Sequence, residues 1–168
     1  LIPILTMRLL SEDRKNKTDQ ALLTAPINLI SLVMGKFLSA LIVYALGVAI
    51  TLVYAIIIAT FARPDWMVIC GNIVGMLLLG AALIAIGMFI SALTENQVIA
   101  AVGGFAAGFS LILVDSLSTL VTIDWLKSFI SGLSFMVRYD EFTSGILDIS
   151  NVLFFVSVCA VFIFFTVR

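Results

Sequence analysis

Few residues in this chain can do chemistry, and those that can are crowded together. Arg8, Glu12, Asp13, Arg14, Lys15, Lys17 and Asp19 stand within one short stretch, out of nine basic and ten acidic residues in all. Histidine is absent, which excludes a histidine-based metal site, general base or proton relay. Cys70 and Cys159 fall inside apolar stretches, where they read as small buried hydrophobes rather than a disulfide framework or metal ligands. Gly35-Lys36 resembles a fragment of a phosphate loop. It lacks both the earlier glycine at the required spacing and the following Ser or Thr, so neither nucleotide hydrolysis nor a bound cofactor is expected of this chain. Arg14-Lys15-Asn16-Lys17 is the longest basic run, and the net charge is -1. Nucleic acid is therefore not an expected partner, and the run reads as a membrane-flanking anchor. An intramembrane enzyme would need a nucleophile with its base or a carboxylate pair, and no such constellation is present.

The elements that position these residues are apolar helices. The composition is 62% hydrophobic and 11% charged, against roughly 45–50% apolar and 25% charged in soluble domains. A soluble globule could not hide so much apolar surface, so the bilayer is the expected solvent and partner. Crossing a hydrocarbon core of roughly 30 Å takes about 20 apolar residues. The fold expected is an all-α, polytopic transmembrane bundle forming a single domain over residues 1–168. Within it, residues 1–10 read as the end of a span that begins before Leu1. Full spans are expected over about 27–62, 66–93, 96–121 and 149–167. Residues 123–148 mix Trp125, Phe129 and Phe135 with Lys127, Arg138 and Glu141, which suits short amphipathic helices at the outer interface. Lys and Arg lie mostly before the first full span and after the last, so those ends are expected inside, with Arg63, Lys127 and Arg138 outside. Asp115 would then lie near the outer headgroups as an interfacial carboxylate.

Gly71 and Gly75, and again Gly104 and Gly108, are spaced four apart. Small residues at that interval let helix backbones approach in lipid, where no hydrophobic force drives helices together. Packing within the subunit is their expected role.

The most informative stretch is Glu12 to Lys36. Its polar start leads into Thr18-Asp19-Gln20-Ala21-Leu22-Leu23-Thr24-Ala25, then Pro26. An acid in the first turn suits the positive end of a helix, and Pro26 disfavours helix at Ala25, so a helix of about two turns is expected over 18–25. Pro26 can in turn open the next helix. Leu22 and Leu23 have no core of their own in so short a helix. Their destination is either a groove on another protein or the membrane surface.

Several motifs in a fixed order carry a resemblance. Pro3, Leu5-Thr6-Met7-Arg8, Glu12-Asp13-Arg14, Thr18, Leu22-Leu23-Thr24-Ala25-Pro26 and Gly35-Lys36-Phe37 are similar to the signature of ABC-2 type permeases, close to the gliding-motility-associated branch. Phe142-Thr143-Ser144-Gly145-Ile146-Leu147-Asp148 ahead of an aromatic-rich last span resembles a second stretch of the same family. Lys17 stands where many members have glycine. The resemblance implies a multi-pass protein of the plasma (inner) membrane that pairs with a second permease subunit. It also implies that a cytoplasmic ABC ATPase subunit binds ATP and Mg and docks on a coupling helix at 18–25. Glu12, Asp13, Arg14, Thr18, Asp19, Leu22, Leu23 and Pro26 are the residues it assigns to that coupling. Two other classes stand as alternatives. An ion-coupled secondary transporter would show midplane charges or broken helices in two repeats, and these are not evident. A non-transporting structural membrane subunit is the other.

Overall fold

A computed structural model describes residues 2–11, 29–61, 65–120, 132, 134–146 and 148–168. The expected coupling residues Glu12, Asp13, Arg14, Thr18, Asp19, Leu22, Leu23 and Pro26 lie outside them, as does the side chain of Asp115. Among the described residues six helices are delimited, in chain order α1 (Ile2–Thr6), α2 (Leu29–Phe61), α3 (Trp66–Leu93), α4 (Gln97–Leu120), α5 (Phe135–Thr143) and α6 (Ile149–Val167). Four of them, α2, α3, α4 and α6, are long and apolar enough to cross a membrane. Each coincides with a run almost free of charge, where nothing interrupts the backbone ladder and no polar side chain demands water.

Short polar side chains start the helices. Asp65 accepts from Met67 N at 3.0 Å, Asn96 from Val98 N at 2.9 Å, Ser134 from Val137 N at 3.3 Å and Asp148 from Ser150 N at 3.0 Å. Each satisfies a first-turn donor that would otherwise lack a partner. Such caps matter most in lipid, where water cannot substitute.

The bundle is built around α3, which touches each of the other five helices. One face of α3, with Ala81, Ile84, Ala85 and Met88, packs on Val33, Phe37 and Ala40 of α2. Another, with Ala82 and Ile86, joins Phe135 and Phe142 of α5 and Phe155 of α6. The rings of Phe135 and Phe154 meet edge to face at 5.4 Å, those of Phe135 and Phe155 at 5.7 Å, a geometry that adds directional attraction to close packing.

Glycines on α3 mark where neighbours press closest. A Cβ at Gly71 would stand 2.5 Å from the Phe142 carbonyl oxygen, and one at Gly75 would stand 2.8 Å from Phe142 Cβ. Further along, Gly80 receives the Tyr44 ring and Gly87 receives Thr6. On α4, a Cβ at Gly104 would lie 3.5 Å from Pro3, in ordinary contact, whereas one at Gly108 would meet nothing within 4 Å. Among the described residues, Gly108 therefore has no neighbour close enough to meet an added methyl group.

One placement differs from expectation. Cys70 is exposed on the surface of the chain rather than buried, while Cys159 is half-buried in the core. Within 123–148, α5 does not simply rest on a surface. Its Phe142 is fully buried in the slot left by Gly71 and Gly75 of α3, and its Phe135 is nearly so against Phe154 and Phe155.

Candidate coupling site

The expected coupling residues fall between Ser11 and Leu29, outside the described residues, and the described structure shows how the chain is held on either side of them. On the first flank, the chain turns sharply after α1. Its backbone donors would be orphaned there, because the helix has ended and a buried position offers no water. The hydroxyl of Ser91, in the last turn of α3, resolves this. It accepts from Ser11 N at 3.0 Å and Leu10 N at 3.3 Å and lies 3.3 Å from the Met7 carbonyl, to which it donates. Ser91 and Ser11 are both fully buried, and the Ser11 hydroxyl donates back to the Met7 carbonyl. Thr6, also buried, bonds to the Ile2 carbonyl at 3.1 Å and rests against Gly87.

The second flank joins the first. Lys36, in the second turn of α2, donates its ammonium to the Leu9 carbonyl. Leu9 and Leu10 pack against the cluster that holds Val33 and Phe37 of α2 and Met88 of α3. The stretch before the coupling segment is thereby fixed to the helix that follows it and to the central helix together.

A second polar group lies at the other end of α3. Arg138 donates to Asn151 Oδ1 at 2.8 Å and to the Gly132 carbonyl at 3.1 Å, and its guanidinium stacks 4.3 Å from the centre of the Phe154 ring. Asn151, buried in the first turn of α6, donates to Glu141. Tyr139 donates to Asn72 Oδ1 at 3.0 Å, tying α5 to α3. Burial, and secondarily the charge of Asp140, raise the Tyr139 phenol above its ordinary value of 10.0, so it keeps its proton and serves as a donor.

A bundle of charge-poor helices, four of them long and apolar enough to cross a membrane, is the architecture of a polytopic membrane protein. Compared with models of known families, the whole chain, residues 1–168, matches that of the ABC-2 family transporter protein. The chain belongs to the ABC-2 transporter family. It is therefore a multi-pass permease of an ABC transporter, a membrane transport component in a family that works with an ABC ATPase subunit. No curated protein and no solved structure gives a significant match to this permease.

Sequence reasoning did not single out Ser91 or the Arg138–Asn151 contact, and it named Lys36 only beside Gly35, not as a partner of the Leu9 carbonyl. The available signal was polarity out of place, namely Asn72, Ser91 and Asn151 within otherwise apolar spans. Polar groups in lipid are costly unless they bond across helices.

Proposed function

We propose that this permease is the membrane subunit of an ABC exporter and that residues 18–25 form its coupling helix. In this reading a separate nucleotide-binding subunit binds ATP and Mg, and its ATP-driven dimerisation moves the coupling helix. Leu22 and Leu23 are the apolar anchors on that subunit. Glu12, Asp13 and Arg14 steer the contact, Thr18 and Asp19 open the helix, and Pro26 ends it. A second permease subunit completes the route across the plasma (inner) membrane. The similarity of the Leu22–Pro26 run to the gliding-motility-associated branch supports a place near that branch.

The observation that carries the reading is the double anchorage of the flanks, through Ser91 on α3 and Lys36 on α2. A coupling element must pass force to the spans. A short helix hung between two hydrogen-bonded flanks does so without needing a rigid core of its own.

The test is Leu22→Ala combined with Leu23→Ala, assayed in membranes with the cognate ATPase. Truncating buried interface leucines costs a few kcal/mol, roughly, so transport should fall at least about tenfold relative to ATP hydrolysis. Insertion should stay normal, because neither residue is assigned to a span. A double mutant that transports and co-purifies with the ATPase at wild-type levels would show that the segment rests on lipid instead.

A further inference from the structure

Between α2 and α3, near the Asp65 end of the bundle, lies an open groove of about 330 Å³. Ala55 and Ile58 of α2 and Ile73 and Met76 of α3 make apolar walls, and Thr51 and Asn72 supply the polar atoms. The Thr51 hydroxyl is spent on the Val48 carbonyl of its own helix. Asn72 is different. Its Oδ1 is held by the Tyr139 hydroxyl, which fixes the orientation of the amide, and among the described residues its Nδ2 has no partner. An amide donor left unbonded in hydrocarbon is strongly disfavoured, because no water is there to take its place. The groove therefore calls for an occupant that is apolar over most of its length and offers one hydrogen-bond acceptor.

Depth narrows the chemistry. α3 has 28 residues, so at about 1.5 Å per residue it is roughly 42 Å long, about 12 Å more than the hydrocarbon core. Centred in the bilayer, it projects about 6 Å at each end. Asn72 lies about 9 Å along α3 from Trp66, a few ångströms inside the boundary of the hydrocarbon. That is the level at which a glycerophospholipid carries its ester carbonyls, which accept hydrogen bonds and have no donor of their own.

We propose that the α2/α3 groove is a binding site for a diacyl glycerophospholipid, whose acyl chain lies along Ala55, Ile58, Ile73 and Met76 while its ester carbonyl accepts from Asn72 Nδ2. The site stands apart from the coupling segment and does not depend on the function proposed for it. Tyr139 acts as a positioning residue, since its hydroxyl turns the amide nitrogen toward the lipid. The same contact makes the groove sensitive to α5, because a shift of α5 releases Asn72.

The experiment reconstitutes the full chain in vesicles containing a phosphatidylglycerol diester with a diazirine near the head of one acyl chain. Photolysis should label peptides spanning 51–58 and 69–76 above the other exposed faces of α2 and α4. Asn72→Ala should lower that labelling about fivefold, the worth of one net hydrogen bond. A diether analogue lacking the carbonyls should show the same drop on the wild type and no further drop on Asn72→Ala. Ala55→Trp, which fills the groove without touching the Asn72–Tyr139 contact, should abolish the excess labelling, whereas Leu46→Ala on the exposed face of α2 should leave it intact. Melting temperature in detergent identifies a variant that has lost its fold. Even labelling of all exposed faces, equal labelling by diester and diether, or a groove covered by a second copy of the chain in cross-linked vesicles would each overturn the proposal.

Discussion

Ser91 has one hydroxyl and three backbone partners, and removing it takes the acceptor from a buried N–H at Ser11 and a half-buried one at Leu10. Each such group costs about 1–3 kcal/mol. Ser91→Ala is expected to lower the melting temperature of the purified permease by several degrees and to weaken transport, even though the residue is far in sequence from the coupling segment. A variant as stable and active as wild type would show that the flank is held by Leu9 and Leu10 alone. Tyr139 makes a pH prediction. Its phenol is raised in the folded state, so the fold retains the proton at pH values where the unfolded chain has begun to release it. Stability from this group is constant below about pH 10 and falls as pH rises beyond it. Tyr139→Phe should remove that alkaline component from melting curves taken on either side of about pH 10. These residues were the least legible in the sequence. A serine at the end of a span looks like an interfacial residue, and only three-dimensional proximity across some eighty positions, from Ser11 to Ser91, reveals what it satisfies.

Among the elements, α3 shows how one glycine differs from another. At Gly71 an added Cβ would meet backbone, the Phe142 carbonyl oxygen at 2.5 Å, and backbone cannot swing aside. Gly71→Ala should therefore displace α5 and cost about 1–3 kcal/mol. Gly108→Ala, where nothing lies within 4 Å, should be neutral or gain about 0.5–1 kcal/mol from helix propensity. Thermal melts of the two variants side by side check the contrast, and equal losses would mean that Gly108 packs against another subunit. The sequence pattern is identical at the two pairs, so spacing alone could not rank them. Near Gly71 the chain also needs Gly145, whose φ of 79° is a left-handed conformation that lets Ile146 turn back toward α6. The amphipathic character of α5 was legible from its mixture of aromatic and charged residues. Its insertion was not, because that depends on the slot made by glycines some seventy positions earlier.

For the whole molecule, the all-α polytopic class was plain from composition, since charge-poor runs of this length have no other stable home. Sidedness is a separate matter and rests on the Lys and Arg bias. Single cysteines at positions 15, 65, 95 and 127, in a background without Cys70 and Cys159, should be labelled by an impermeant thiol reagent in intact cells only at 65 and 127. Labelling at 95 but not 65 would invert the molecule. The residues proposed for coupling illustrate the opposite limit, because a role on a partner surface depends on a surface that this sequence does not contain. The contacts made at Gly71, Gly75, Gly80 and Gly87 also bear on how this gene can drift. Every first- or second-base change in a glycine codon introduces a side chain or a stop. These four codons can therefore vary silently only at their third base, while the leucine, isoleucine and valine codons facing lipid interchange by single steps with little effect on packing. A collection of natural variants should show nearly invariant glycine at these four positions, beside neighbours that exchange one aliphatic residue for another.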